Sequence, residues 1–396
     1  MPFSARVGFF HIVEAVAGFP AWPEVPTQEQ MNTEFTTNFV SSANATLTYS
    51  NYGVIGSGGA KRRHGVAHPN GNIYILPRNN SQMLIYNTSS NVLTTTTLYT
   101  DYQGGALSGY NGNIYMMPHE GSTKQTVLEF DPDTLNSREI SGLANIPGAG
   151  AADIQAGITF GNSVMFFSFN NGQACPIYNP ETNIMISSGL TTNTATGIIS
   201  GVYHPDGNVY VAGYNENNLI RYTPTDPPGS GPGSAARFNV PGISMSGGSK
   251  YQSGCLGADN KIYWTPWGRS DVAVYDPVAN VGSQQTWGLT LSNKNFVGGA
   301  LGDDGNIYCF PAPYDSSDTT QVLVICTDTN NPAYNTAVLT NFGVTLASNE
   351  GSWGQTAGAN GKIMSSDETA QKLLVLDTSG SGNVNALLSP YLNKGG

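Results

Sequence analysis

The side chains best suited to binding chemistry are glutamines that recur at matching places along the chain. They are Gln103, Gln155, Gln252 and Gln355. An amide both donates and accepts hydrogen bonds, so a set of amides around one mouth of a channel would bind a polar ligand such as a sugar. The alternative is that these amides satisfy backbone groups where strands begin.

Aromatic residues accompany this pattern. Tyr102 and Tyr251 come directly before two of the glutamines, and Trp264 and Trp267 follow in the same unit as Gln252. We predict that Trp264 and Trp267 are exposed, since an exposed indole ring can stack on a sugar. These six residues, the four glutamines and the two tryptophans, form the candidate ligand-binding set.

Catalytic and metal-binding patterns are missing from the sequence. His68 and His204 lie at matching places, in His-Pro-Asn-Gly and His-Pro-Asp-Gly, which indicates turn packing rather than a metal site. Asp303 and Asp304 lack the alternating ligands of a calcium loop. The sequence contains no Gly-x-Ser-x-Gly elbow and no phosphate-binding glycine loop. We therefore predict no catalytic residue, no metal and no cofactor.

These residues are carried by a repeat that returns seven times. Its copies are Gly71–Tyr74, Gly112–Tyr115, Asn162–Met165, Gly207–Tyr210, Asn260–Tyr263, Gly305–Tyr308 and Gly361–Met364. Each copy follows a short strand and a turn, and precedes two further strands. The unit is therefore a four-stranded antiparallel meander with a period of about fifty residues, as in propeller blades. We predict an all-β, seven-bladed propeller, with an open solenoid as the alternative.

The innermost strands of such a propeller would line its axis. The residues expected there are Ala67, Leu107, Thr159, Tyr203, Leu256, Leu301 and Ala357. That ring is apolar or neutral, whereas a metal-dependent propeller hydrolase needs converging carboxylates. This composition favours a protein that is not an enzyme.

Composition limits the partners. The 396 residues are 11% charged, with a formal net charge of −11. An acidic chain with 16 Lys and Arg residues is a poor nucleic-acid binder, and no segment has the length of a membrane span, so we predict neither nucleic acid nor membrane insertion. Cys309 and Cys326 fall in one repeat, and the sequence allows either a disulfide between them or two buried free thiols. The lack of a cysteine framework favours free thiols in a reducing compartment.

Residues 1–44 lie outside the repeat and divide the chain into an arm (1–44) and a propeller (45–396). The arm carries an unusual number of apolar side chains, and Thr27–Val40 has the pattern of a short amphipathic helix. The candidate anchoring residues are Phe3, Phe9, Phe10, Phe19, Trp22, Met31, Phe35 and Phe39. The arm either folds back on its own propeller or docks on another subunit, which we favour. His11 and Glu14 interrupt the apolar run 7–19, so we expect no secretory signal.

The unit Asp/Asn-Gly-Asn-Ile-Tyr, followed by a third strand that ends in Asp-Pro, resembles kelch-like propeller repeats over about residues 50–390. Similar repeats occur in virion proteins of tailed bacteriophages and large viruses. The resemblance implies a multi-copy virion protein, assembled in the host cytoplasm, that contacts other virion proteins through residues 1–44 and displays a propeller as a capsid or tail decoration or for attachment to a host-surface glycan. The alternatives are a propeller enzyme of lactonase or lyase type and a secreted glycan-binding lectin.

Overall fold

The computed structural model describes residues 46–51, 62–77, 81–99, 102–107, 111–118, 124–146, 154–168, 174–191, 198, 200–226, 229–248, 250–291, 295–296, 298–312, 321–342, 357–366 and 372–378. These residues form seven four-stranded antiparallel sheets. The only helical element among them is a 3-10 turn at Leu143–Asn145. Within this part of the chain, no helix has the length and hydrophobicity needed to cross a membrane.

The strands follow one order in every sheet. In chain order they are β1 (Thr46–Asn51), β2 (Arg62–Ala67), β3 (Asn72–Pro77), β4 (Gln82–Asn87), β5 (Val92–Thr97), β6 (Tyr102–Leu107), β7 (Ile114–Pro118), β8 (Thr126–Phe130), β9 (Ser137–Ser141), β10 (Ile154–Phe160), β11 (Ser163–Ser168), β12 (Ala174–Asn179), β13 (Ile184–Thr191), β14 (Val202–Tyr203), β15 (Val209–Ala212), β16 (Leu219–Thr223), β17 (Ser234–Phe238), β18 (Tyr251–Leu256), β19 (Ile262–Pro266), β20 (Val272–Asp276), β21 (Val281–Gln285), β22 (Ala300–Leu301), β23 (Asn306–Cys309), β24 (Val322–Cys326), β25 (Ala337–Thr340), β26 (Ala357–Ala359), β27 (Lys362–Ser366) and β28 (Lys372–Asp377).

The sheets are the blades of a closed ring. The first strands β2, β6, β10, β14, β18, β22 and β26 contact one another in that order, and β26 returns to β2. Seven apolar clusters fill the spaces between neighbouring blades, and one of them joins blade 7 to blade 1. The core is therefore distributed around the ring, and the predicted seven-bladed β-propeller is confirmed.

The ring closes with a strand from the N-terminal side. β1 is the outer strand of blade 7 and pairs with β28, with Thr46 opposite Asp377 and Asn51 opposite Lys372. The sequence placed this strand beside the last blade but next to residues 384–388, which lie outside the described residues. The arm, residues 1–44, also lies outside them.

The repeated motif forms the turn between the first and second strands. In blade 6, the backbone N–H of Asn306 donates to Oδ1 of Asp304, and Gly305 takes a φ of +76°. The hydroxyl of Tyr308, four residues after the aspartate, donates to Asp304 Oδ2 at 2.5 Å. Tyr210 makes the same bond to Asp206 at 2.6 Å. The motif therefore positions a buried tyrosine between blades and satisfies its hydroxyl.

A second device supports the third strand. A tyrosine near the end of that strand donates to the side-chain oxygen of an asparagine five residues later, in Tyr86–Asn91, Tyr178–Asn183 and Tyr275–Asn280 at 2.8, 2.9 and 3.0 Å. The asparagines have positive φ, a conformation that Asn tolerates better than most residues. In blade 2 the tyrosine is replaced by Phe130 and the asparagine by Leu135, so this blade lacks both the hydroxyl donor and the amide acceptor.

Glycine on the first strand permits close contact between blades. A Cβ on Gly254 would lie 2.6 Å from Cδ1 of Trp264 and 2.8 Å from Cγ2 of Val202 in blade 4. These distances are too short for a side chain, so the first strands approach the neighbouring blade only because this position is glycine.

The strand register corrects one member of the predicted axial ring. Leu301 lies opposite Ile307, and the matching pair in blade 7 is Gly358 and Ile363, not Ala357. The turn in blade 7 is a two-residue loop, Asn360-Gly361, with φ of 50° and 71°. Because this loop is shorter than the turn of blade 6, counting back from the motif misplaces the ring residue by one.

The insertion in blade 4 also differs from expectation. The sequence indicates an exposed loop over 225–234, yet Gly229 is buried. A Cβ on Gly229 would lie 1.9 Å from Oγ of Ser163 in blade 3, and the carbonyl of Pro232 accepts a bond from Tyr222 at 3.0 Å. Part of the insertion therefore packs between blades 3 and 4.

All four cysteines are buried, and Cys255, Cys309 and Cys326 are free thiols. Cys309 lies opposite Leu323 and Cys326 opposite Asn306, at the two ends of the same strand pair. This register separates the two thiols, so they do not form a disulfide. Burial raises the pKa of Cys255 to about 12, which keeps that thiol protonated.

Candidate ligand-binding site at the channel mouth

Three of the predicted glutamines occupy the same structural position. A β-bulge inserts one extra residue near the start of the first strand in several blades, for example where Tyr102 faces Pro118 and Gly105 faces Met116. The bulge lies at or directly beside the position two residues before the strand glycine, which is occupied by Arg63, Gln103, Gln155 and Gln252 in the four blades. A bulge turns a side chain away from its usual direction and is common beside functional sites. Gln355 lies outside the described residues.

The bulges mark one face of the propeller, which we call the channel mouth. It is the face where the chain enters each first strand and where the second and third strands are connected. The described connections on this face are concentrated in blades 4 and 5, over 213–218, 239–248 and 267–271. The detailed geometry of the candidate site therefore comes from these two blades.

Polar atoms without partners collect in blades 4 and 5. Among the described residues, six buried side-chain nitrogen or oxygen atoms have no hydrogen-bond partner, and four of them are in these two blades. They are Ser200 Oγ, Gln252 Oε1, Ser253 Oγ and Trp264 Nε1. Each such atom costs about 1–3 kcal/mol when unsatisfied, so a cluster of them marks a place where a further polar partner would be favourable.

Equivalent serines contribute two of these atoms. Ser200 directly precedes Gly201 and Ser253 directly precedes Gly254, and the two glycines occupy the same position in their blades. Both serines are almost fully buried, and the first strands β14 and β18 are in contact. These serines are not among the predicted site residues, and their place directly before the strand glycine is the sequence signal that marks them.

Gln252 supports the ligand interpretation over the structural one. Its Oε1 is buried and accepts no hydrogen bond from the described residues, so the amide oxygen is not used to satisfy the strand entry. The side chains of Gln103 and Gln155 lie outside the described part of the structure. The blade 5 glutamine is therefore the member of the set for which the geometry is known.

The two predicted tryptophans differ in their exposure to solvent. Trp264 was predicted to be exposed, but it is 1% exposed and stacks on Tyr275 with ring centroids 6.2 Å apart. It fills the space opposite Gly254, so no face of its ring is open to a sugar. Trp267 is half-buried, and its backbone N–H donates to the carbonyl of Lys250 at 2.9 Å. Trp267 is therefore the aromatic residue that borders the channel mouth.

Lys250 is the unexpected residue of this face. It is fully buried, its backbone N–H donates to the carbonyl of Tyr214, and its Nζ donates to the carbonyl of Gly247. Desolvation by burial lowers the pKa of Lys250, the positive charge of Arg269 lowers it further, and Glu216 opposes the change. The sequence signal was its position, directly before the Tyr251-Gln252 pair.

The charged groups near Lys250 are already paired with each other. Arg269 Nη2 lies 3.3 Å from Asp271 Oδ2, and Arg237 Nε lies 3.4 Å from Glu216 Oε2. Lys250 forms no ion pair with any carboxylate of the described residues. Among the described residues of this group, three cations therefore accompany two carboxylates, and Lys250 is the cation without an ion pair.

Blades 5 and 2 share a hydrogen-bonded group that is built on the tyrosine at the start of the first strand, which we call the tyrosine frame. The acceptor carboxylate comes from the start of the third strand in blade 5 and from the fourth strand in blade 2. In blade 5, Tyr251 Oη donates to Asp271, and Gln284 on the fourth strand bonds to both. In blade 2, Tyr102 Oη bonds to Thr126 and donates to Glu139 on the fourth strand. The tyrosine frame holds the loop between the second and third strands. In both blades a cation forms an ion pair with its carboxylate, Arg269 in blade 5 and Lys124 in blade 2.

A second cleft, of about 390 Å³, lies on blade 2 near Glu129 and Arg138. Burial works against ionisation of Glu129, but hydrogen bonds from Arg138, Tyr115 and Asn113 outweigh it and keep the pKa of this carboxyl below its usual range. Because Glu129 is fully engaged, we assign it a structural role between blades 2 and 3.

The histidines act as links between blades. His204 Nε2 bonds to the carbonyl of Asn260 in blade 5 at 2.9 Å, and His68 Nε2 bonds to the carbonyl of Gly112 in blade 2 at 3.0 Å. Among the described residues, no three His, Cys, Asp or Glu side chains are grouped so as to hold a metal ion.

Solved structures with the same fold include enzymes. A streptogramin B lyase matches with a TM-score of 0.63 and 12% identity, over 85% of this chain and 98% of its own. A virginiamycin B lyase from Staphylococcus aureus matches with a TM-score of 0.62 and 12% identity, over 84% and 99%. An extracellular domain of a protein described as a one component system from B. thetaiotaomicron has a TM-score of 0.56 and 15% identity, over 83% and 39%. No family model and no curated protein matches the sequence.

These neighbours correct the prediction that the protein is not an enzyme. Propellers that match nearly their whole length to this chain include lyases, so this fold is one that enzymes use. At 11–15% identity the likeness shows the fold alone. The neighbours above are not virion proteins, and no match supports the kelch-like or phage assignment.

Proposed function

We propose that this propeller binds a small hydroxyl-rich ligand, such as a sugar, at the channel mouth over blades 4 and 5. The observation that carries the proposal is the cluster of partnerless buried atoms on Ser200, Gln252 and Ser253. A sugar hydroxyl both donates and accepts, so it can satisfy a serine hydroxyl and an amide oxygen together. Trp267 at the border of this face would add apolar contact.

The test is a binding titration against a panel of mono- and oligosaccharides. We expect Ser253→Ala and Gln252→Ala to weaken binding at least tenfold, because each removes a hydrogen-bonding group at the site. Gln285→Ala is the matched control, since that glutamine lies half-buried at the end of the outer strand β21. Ser253→Ala also removes an unsatisfied buried hydroxyl, so its stability should be unchanged or higher.

Two results would reject the proposal. One is the absence of binding to every member of the panel. The other is equal affinity in the Ser253 and control variants, which would mean that the ligand sits elsewhere. A gain of stability without any loss of affinity would assign the serine to packing only.

A lyase-type reaction on the bound ligand is the second candidate. It is supported by the fold neighbours and by Lys250, since burial lowers the pKa of this amine and so moves it toward the range in which a lysine can act as a general base. Each ligand that binds would be incubated with the protein and followed by NMR for elimination products. Turnover that is lost in Lys250→Met would support this candidate, and an unchanged ligand after long incubation would reject it.

A second part of the proposal concerns the assembly to which the propeller belongs. We propose a virion component, present in many copies, that is anchored through residues 1–44 and displays the propeller outward as a decoration or attachment module. The repeat signature and the apolar arm support this setting. The expected partners are other virion proteins and a host-surface glycan, without nucleic acid or membrane insertion, and assembly would take place in the host cytoplasm.

Incorporation into particles tests this part separately. The full chain should sediment with purified particles, and a chain that starts at residue 45 should not. A truncated chain that remains on particles would remove the anchoring role from residues 1–44 and would leave the ligand site unaffected.

A further inference from the structure

We infer that the ligand of the channel mouth carries a carboxylate, so that the site recognises an acidic sugar rather than a neutral one. This inference rests on the proposed binding function and adds the chemical class of the ligand. It starts from a positive charge of this face that forms no ion pair with the residues that the structure describes.

Lys250 is the source of that charge. Its side chain is fully buried, and the carbonyl of Gly247 is the one acceptor that its three N–H groups have within the described residues. Buried ammonium groups are normally paired, because leaving one unpaired is costly. The protein as a whole is acidic, with a net charge of −11, so solubility gives no reason for this lysine.

The neighbouring carboxylates are committed. Asp271 accepts bonds from Tyr251 at 2.6 Å and from Gln284 at 3.0 Å in addition to its ion pair with Arg269. Glu216 is 3% exposed and pairs with Arg237. A turn toward Lys250 would cost Asp271 its hydrogen bond from the buried Tyr251 and would cost Glu216 its ion pair with Arg237. A ligand carboxylate would supply the missing charge.

The same strand brings the lysine to the polar cluster. Lys250 lies two residues before Gln252 and three before Ser253, and both of these residues fall within the bulged part of β18. Arg269, from the next loop, also binds the carbonyl of Ser246 at 3.3 Å, so it ties the loop before β18 to the loop after β19. The face thus offers a cation for an acid group next to neutral groups for hydroxyls.

Binding would be coupled to protonation. The buried amine loses part of its proton affinity through desolvation and through Arg269, while Glu216 acts in the opposite direction. Arg237 and Asp271 are the other charged groups on the elements described above, and they are paired. A carboxylate against Nζ favours the protonated amine, so complex formation should take up protons when the free amine is partly neutral.

The experiment compares glucuronate with glucose, in calorimetric titrations of the full chain. We expect glucuronate to bind at least tenfold more tightly than glucose. Lys250→Met should reduce glucuronate affinity to the glucose level. Lys261→Met is the control, because Lys261 lies in the same blade but at the opposite turn, bonded to Tyr334.

The outcomes separate the two proposals. Equal affinities for the acid and the neutral sugar would overturn the carboxylate inference and leave the sugar site in place. Glucuronate binding that survives Lys250→Met would also overturn it. Binding of neither compound, nor of any sugar in the panel, would overturn the proposed function itself. If Lys250→Met does not fold, Lys250→Gln, which keeps a donor without the charge, gives the same comparison.

Discussion

Tyr251 Oη donates a hydrogen bond of 2.6 Å to Oδ1 of Asp271, and this contact joins the first strand of blade 5 to the start of its third strand. The phenol is fully buried, and the carboxylate also pairs with Arg269. The contact therefore fixes the loop that carries Trp267 and Arg269 against the strand that carries Lys250. It is the structural base of the channel mouth in this blade.

Removal of this hydroxyl should loosen blade 5. We expect Tyr251→Phe to lower the free energy of unfolding by about 2 kcal/mol, because it deletes a bond to a charged acceptor inside the fold. Urea denaturation would measure the change. Tyr99→Phe is the control, since that ring is 47% exposed, and equal losses in both variants would contradict the assignment.

The turn of the repeated motif should depend on backbone conformation in a predictable way. Gly207 has a φ of +88°, and a Cβ there would meet no atom within 4 Å. Asn260 occupies the same position in blade 5 with a φ of 60°. We expect Gly207→Asn to be nearly neutral and Gly207→Val to cost about 2 kcal/mol, as the left-handed conformation strains a β-branched residue. Equal stability of the two variants in thermal unfolding would contradict this.

Ring closure by β1 gives a prediction for truncated chains. A chain that starts at residue 45 keeps β1 and should retain the melting temperature of the full chain. A chain that starts at residue 52 lacks the outer strand of blade 7 and leaves the edge of β28 unpaired. We expect it to melt at lower temperature and to aggregate, as followed by calorimetry and size-exclusion chromatography. Identical behaviour of both chains would show that β1 is dispensable.

The blades were predictable because their signals are local. A turn with Asp304-Gly305 and a tyrosine four residues later is specified within one short segment, and its copies give the blade number directly. The axial residue of blade 7 was predicted one position too early, because the loop Asn360-Gly361 is shorter than the turn of blade 6 and a count along the chain does not reveal this.

The site was less predictable because burial depends on neighbouring blades. Trp264 is an aromatic residue of the type that stacks on sugars in binding sites, but Gly254 and Tyr275 enclose it. Lys250 looks like a surface lysine in the sequence, yet it is buried and its backbone bonds to Tyr214 and Trp267 in the connecting loops of blades 4 and 5. The glutamine pattern did mark the bulges, since that position recurs with the strand.

The third-strand device can be tested by a double-mutant cycle in blade 2. Phe130→Tyr places a hydroxyl beside Leu135, and Leu135→Asn supplies the acceptor that the other blades use. We expect the tyrosine alone to cost about 1 kcal/mol, because its hydroxyl lacks a partner. The two changes together should show a favourable coupling of about 1 kcal/mol. Additive effects in urea denaturation would mean that the Tyr–Asn pairs do not support the turn.

Lys250 gives the pH prediction. Its pKa in the folded protein is lowered, first by burial and then by Arg269, so the unfolded chain binds the lysine proton more tightly. The buried charge therefore destabilises the fold below the folded pKa, and this cost fades as the pH rises toward the ordinary value of about 10.4. We expect Lys250→Met to raise the midpoint of urea unfolding near neutral pH and to raise it less near pH 10. A loss of stability at neutral pH would instead identify the bond from Nζ to Gly247 as a structural requirement, and the lysine would then have no need of a ligand.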